Sequence, residues 1–164
     1  MSSNLTNPTF SEITFLLTLR VHGVFIALAI YSLDSMASER YTRGWEKLKE
    51  VDGEAGTKVI ESLKDIAPDL GRYTIEFPFG DIYRRPGLDL KSREMAVVAA
   101  LTALGNAAPQ LRVHIHGALN VGVTREEVVE IIMMMAVYAG FPAALNGMAA
   151  AKDVFAERDA KGIS

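Results

Sequence analysis

Two of the chain's three histidines, His114 and His116, stand one residue apart in an apolar run, RVHIHGALNVGV at 112–123. They could be a metal pair, a catalytic pair, or one working histidine beside a bystander. On a helix, residues i and i+2 lie about 200° apart, so the two rings leave on nearly opposite sides. On a strand they would share a face. Pro109 ahead, Gly122 behind and the helical context favour a helix, and no HExxH or acidic cluster accompanies them in the sequence. No metal is expected, and each histidine is expected to face a different surface.

Other ionisable groups punctuate apolar stretches nearby. Glu94 lies in SREMAVVAALTAL, with Arg93 beside it and Arg84-Arg85 at the turn just before. A buried glutamate needs a partner, and a histidine or arginine is the least costly one. The plainer alternatives are a core histidine bonded to backbone and a solvated Arg93-Glu94 helix end. The chain has no cysteine, which removes disulfides, thiolate catalysis and sulfur metal sites. Its 49% hydrophobic and 23% charged residues are ordinary for a globular domain. Lysines and arginines are scattered, and the net charge is −3, so no nucleic-acid footprint is present.

The elements that must position these groups read as helices. ERYTRGWEKLKEV, capped by Ser38, stops at Asp52-Gly53, and GTKVIESLKDI follows with Val59, Ile60 and Leu63 on one face. Pro68 opens PDLGRYTIEFPFGDIY, in which Pro78 should bend or break the helix. Pro86-Gly87 makes a turn. Asp89 caps LKSREMAVVAALTALG, and Pro109 restarts a helix through the histidines. Thr124 to Glu127 is a capping box for REEVVEIIMMMAVYAG, a helix apolar almost all round, to be buried centrally or shared between subunits. A last helix runs from Pro142, and small residues from Ala136 to Ala151 fit either a subunit face or tight packing within the chain. No strand alternation or dinucleotide fingerprint appears. The fold class predicted is all-α, about six to seven helices with short connections.

Residues 1–36 read as an apolar N-terminal extension to a domain over 37–164. The run ITFLLTLRVHGVFIALAIYSL has the length of a membrane span, but Arg20 and His22 oppose that, a central Arg costing roughly 2.5–3.5 kcal/mol on insertion scales. Three readings rank above a span: an added helix, a start at Met36 with the upstream stretch a translation artefact, and a signal segment cut near Ala37. No stable membrane span and a cytoplasmic location are expected, with export the alternative if residues 1–37 act as a signal.

From Glu39 to Glu157 the chain resembles the carboxymuconolactone decarboxylase family. The resemblance rests on Gly80-Asp81-Ile82, Arg85-Pro86-Gly87-Leu88, Arg93-Glu94, His114, GALNVGVTREE and YAGFPAALN. It implies an all-α fold shared with alkylhydroperoxidase D-type proteins, assembled as trimers or hexamers with sites near subunit interfaces. The peroxidase branch of that superfamily carries a Glu, a Cys-x-x-Cys and a His four residues later. The matching positions here are Glu94, Ala107, Gln110 and His114, so dithiol peroxide reduction is excluded.

The decarboxylase branch implies cofactor-free loss of CO2 from 4-carboxymuconolactone, giving 3-oxoadipate enol-lactone in aromatic-acid breakdown. By that resemblance His114 is the general acid or oxyanion donor, Arg85 holds a substrate carboxylate, and Glu94 orients His114 or Arg85. His116, where many relatives have Arg, takes a cationic or donor role at an interface. Tyr83 and Phe79 line the pocket at positions where such decarboxylases tend to carry Trp, and Arg93 completes the substrate-binding set. The alternatives are a lactone isomerase or hydrolase on a related substrate, and a non-catalytic oligomer that binds small molecules.

Overall fold

The computed structural model describes residues 39–163, and the expected extension over residues 1–36 lies outside the described residues. All the described elements are helical. Helix α1 occupies 39–51, followed by α2 (Gly53–Glu61) and α3 (Pro68–Thr74). A π-helical segment (Ile75–Ile82) continues directly from α3. Then come α4 (Leu90–Leu104), α5 (Ala108–Asn120), α6 (Arg125–Tyr138) and α7 (Phe141–Ala160).

Helices α4 to α7 pack on one another around Val98, Leu111, Ile115, Val128, Ile132 and Val154, all buried. A second apolar cluster joins α1, α2 and the π segment through Leu48, Val51, Ile60, Ile75 and Phe79. Helix α2 also packs on α5. At that junction the Asn120 side-chain amide donates to the Val51 carbonyl at 3.0 Å and its oxygen accepts from Arg158 Nη1 at 2.9 Å. The first bond ties the end of α1 to the end of α5, and the second ties the end of α5 to α7.

Two caps follow the sequence signals, while the cap expected at Ser38 lies outside the described residues. The Asp89 side chain accepts from the Ser92 N–H, and Thr124 with Glu127 forms a reciprocal capping box. Pro78 acts differently from the expected bend or break. The chain stays helical but widens from α to π at Ile75, and the Tyr83 N–H donates to the Pro78 carbonyl five residues back at 2.8 Å. Wider turns accommodate a ring that lacks an N–H and would crowd the preceding turn. They also change the angular position of the residues that follow, Tyr83 among them. Helix α1 crosses this segment in backbone contact, since a Cβ on Gly44 would lie 2.2 Å from the Ile75 carbonyl oxygen.

Two other expectations are corrected. Val59 does not share the buried face of Ile60: it is 40% exposed while Ile60 is 5% exposed. The α-helix closes at Glu61, short of the periodicity read into GTKVIESLKDI. Helix α6 buries Val128, Ile131 and Ile132, yet Met133, Met134, Val137 and Tyr138 are exposed in the single chain. Of the small residues of α7, Ala143, Ala144, Gly147, Ala150 and Ala151 are buried within the chain, whereas Ala149 is exposed.

Candidate active site

Helix α5 sends its two histidines to different sides, as helical spacing requires. His114 Nδ1 lies 3.1 Å from Glu94 Oε2, whereas His116 Nε2 lies 3.3 Å from Glu157 Oε2 on α7. Glu94, in the second turn of α4, is completely buried. Its other oxygen, Oε1, accepts from the Tyr83 hydroxyl at 2.5 Å. Phe79 packs against the Tyr83 ring with centroids 5.0 Å apart, and it is itself a core residue. The chain Phe79–Tyr83–Glu94–His114 therefore runs from the apolar core to an imidazole whose side chain is 22% exposed. Among the described residues His114 Nε2 makes no hydrogen bond.

A third acid completes this cluster. Asp52 is the single residue between α1 and α2, and its carboxylate makes no capping bond to α2. It is buried, and its Oδ1 lies 3.8 Å from His114 Nδ1 with no hydrogen-bond partner among the described residues. Gly117, one turn beyond His114 on the same face, leaves room for both acids. A Cβ there would lie 2.6 Å from Asp52 Oδ1 and 3.1 Å from Glu94 Oε2.

The electrostatics follow from this crowding. Burial pushes the Asp52 carboxyl up to about 7, with His114 pulling it down and Glu94 adding to the rise. For His114, burial opposes the cation, but the Glu94 hydrogen bond and the charges of Asp52 and Glu94 outweigh it, so its pKa is raised. Burial, followed by the neighbouring Glu94 charge, drives the Tyr83 hydroxyl well above its ordinary value, so it remains a donor. His116 goes the other way: burial lowers its pKa against the pull of Glu157.

The sequence showed no acidic cluster beside the histidines; the tertiary structure assembles one. The ligand atoms of Asp52, Glu94 and His114 lie within 4.8 Å of one another, a spacing that a small divalent cation could bridge. Such an ion would need His114 Nδ1 deprotonated, and that nitrogen is already turned onto Glu94.

Among the described residues, Arg85, Arg93 and His116 make no hydrogen bond or ion pair to Asp52, Glu94 or His114. Arg85 is exposed on the turn after the π segment, and its carbonyl accepts from Arg93 Nη2 at 2.8 Å. Arg93 Nε also donates to the Leu88 carbonyl at 3.1 Å, so Arg93 pins the turn that carries Arg85. His116 lines a groove of about 910 Å³ between α2, α5 and α7, together with Arg112, Asp153, Glu157 and Arg158. Arg112 pairs there with both Asp153 and Glu157. Asp52 also lines that groove, which makes it the residue shared by the groove and the His114 cluster. Sequence reasoning missed Asp52 because Asp-Gly after a helix reads as a stop signal; only its unused capping carboxylate sets it apart.

A model of the carboxymuconolactone decarboxylase family matches residues 68–153. The 4-carboxymuconolactone decarboxylase of Acinetobacter baylyi is 36% identical over 118 residues, 71% of this chain and 87% of the relative. The nitrosuccinic acid decarboxylase npaB of Metarhizium robertsii is 36% identical over 74 residues, 44% of this chain and 50% of the relative. Tyr83, Glu94, His114 and Gly117 fall inside the stretch matched by the family model, and Asp52 precedes it.

Proposed function

The chain belongs to the carboxymuconolactone decarboxylase family, and from that premise we propose that it is a cofactor-independent carboxy-lyase. Its substrate is 4-carboxymuconolactone or a closely related lactone acid, converted to 3-oxoadipate enol-lactone and CO2 in the β-ketoadipate route of aromatic catabolism. The observation that carries this reading is the buried Glu94 holding His114 by Nδ1 while Nε2, on a partly exposed ring, is unbonded among the described residues.

The chemistry needs little more. Breaking the bond to the carboxylate releases CO2 and leaves the electron pair delocalised through the ring alkene into the lactone carbonyl as a dienolate. The doubly protonated His114 donates its Nε2 proton to carbon, and solvent restores it. Glu94 keeps the ring oriented and favours its cation, and Tyr83 holds Glu94 in turn. Arg85, on the turn pinned by Arg93, grips the remaining carboxylate.

Copies of the chain assemble, in this reading, through the apolar surface of α6 and the start of α7. Val137, Tyr138, Phe141 and Leu145 are each about two-thirds to four-fifths exposed in the single chain. A trimer or hexamer would cover that surface. Among the described residues no helix is long and apolar enough to cross a membrane, in keeping with the cytoplasmic location proposed here.

The test is CO2 release from enzymatically generated carboxymuconolactone, before and after dialysis against a chelator. Turnover that survives dialysis supports the reading. Loss on dialysis restored by a divalent ion would overturn its cofactor independence. Absence of turnover, with the lactone acid raising thermal stability, would make the protein a binding member instead.

A further inference from the structure

Asp52 has no part in the scheme above, yet its placement is unusual. It occupies the N-cap position of α2, where a carboxylate ordinarily accepts from the first N–H groups of the helix. It makes no such bond. The side chain is 4% exposed, and among the described residues its Oδ1 accepts nothing, although an unpaired buried carboxylate oxygen is among the more costly features a fold can carry. Only the absence of a side chain at Gly117 lets it come so close to α5.

We propose that Asp52 is a positioning residue for His114, whose carboxylate joins Glu94 in holding the imidazole as the doubly protonated ring that can donate from Nε2. The inference rests on the decarboxylase reading in which His114 is the acid. Each turnover replaces a carbon–carboxylate bond by a carbon–hydrogen bond and so consumes one proton. A neutral ring with its one proton on Nδ1, facing Glu94, has nothing to give from Nε2. A second anion 3.8 Å from the same nitrogen shifts the ring toward the cation.

The groups bearing on His114 among the described residues are few. Asp52 approaches from the α1–α2 junction and Glu94 from α4, with the Tyr83 hydroxyl on the far oxygen of Glu94. Of the charges of α7 that meet α5, Asp153 and Glu157 pair with Arg112 and His116 on the groove side, and Arg158 donates to Asn120. Asp52 also lines that groove, so its carboxylate stands between His114 and the solvent on that side.

The experiment is a histidine-labelled NMR titration of the full chain and its Asp52→Asn variant, with the pH profile of kcat measured alongside. The His114 midpoint in the variant should fall by about one pH unit or more, and the alkaline limb of kcat should move with it. An unchanged His114 midpoint in a folded variant would overturn the inference. If the variant does not fold, the wild-type chain decides. His114 should then show a titration step that coincides with the Asp52 carboxyl signal, and a single step independent of Asp52 refutes the coupling. The titration needs no substrate, so it separates the two ideas. A shifted His114 without CO2 release removes the decarboxylase reading and leaves the coupling. CO2 release with an unshifted His114 does the reverse.

Discussion

His114 and Glu94, twenty residues apart in sequence, meet through Nδ1 and Oε2 at 3.1 Å, with the carboxylate buried and the ring partly open. The arrangement leaves Nε2 as the only ring atom able to exchange a proton with a bound molecule. Replacing His114 by Ala should therefore lower kcat for CO2 release at least a hundredfold, the scale of general acid catalysis. The far-ultraviolet circular dichroism should be unchanged. A loss below tenfold would remove His114 from proton transfer.

Tyr83 supports the same pair from behind. Its hydroxyl donates to Glu94 Oε1 at 2.5 Å, and the carboxylate has no water-accessible surface to turn to instead. Tyr83→Phe keeps the ring packed at a tilt against Phe79 and removes only that donor. The expected destabilisation is roughly 1.5–3 kcal/mol, as for hydrogen bonds to charged groups, read from urea denaturation midpoints. A change within 0.5 kcal/mol, about the scatter of ordinary surface substitutions, would mean Glu94 finds another donor.

Gly117 offers a test of sign. Helix propensity alone predicts that Gly→Ala inside α5 stabilises by about 1 kcal/mol. The space at this position predicts the opposite, because the new methyl would meet Asp52 Oδ1 at 2.6 Å and Glu94 Oε2 at 3.1 Å. Overpacking of this kind costs about 1–3 kcal/mol. Gly117→Ala should thus lower Tm and displace the acids from His114, and a raised Tm would show that the cluster has slack.

Stability should also depend on pH through Asp52. Its folded carboxyl sits at about 7, above its ordinary 3.8, so the native state binds the proton more tightly than the unfolded chain. The stabilisation from this group is full below pH 3.8 and is lost as pH rises to about 7. The raised pKa of His114 acts with the same sign, its contribution fading as pH climbs through its folded value. Asp52→Asn removes the first effect and weakens the second. Denaturation at pH 5 and pH 8 should show the variant gaining on wild type by roughly 1–4 kcal/mol over that interval. A parallel pair of stability curves would refute it.

Much of the fold was legible because it is written locally. Asp89, Thr124 and Glu127 announce helix starts through bonds made within three residues, and Pro109 and Pro142 stand in the first turns of α5 and α7. The divergence of His114 and His116 follows from helical pitch alone. Pro78 was legible as a disturbance but not as a π segment, since a bend, a break and a widened turn all relieve the same crowding. Val59 was misplaced because α2 is too short for its apolar spacing to choose a face without knowing what packs on it.

The sequence by itself determined an all-α chain, its helix caps, the exclusion of thiol chemistry and the separation of the two histidines, because each depends on residue type or on spacing along one helix. It also supplied the resemblance that singled out Glu94 and His114. Only the tertiary structure decided that Glu94 is fully buried beneath Tyr83, that Arg93 serves the turn at Arg85, and that Asp52 turns away from its own helix. These are contacts between elements 8 to 62 residues apart, and no local rule carries them. Asp52 meets His114 because α2 packs on α5 and Gly117 leaves room for two acids, and that packing is settled by the whole core.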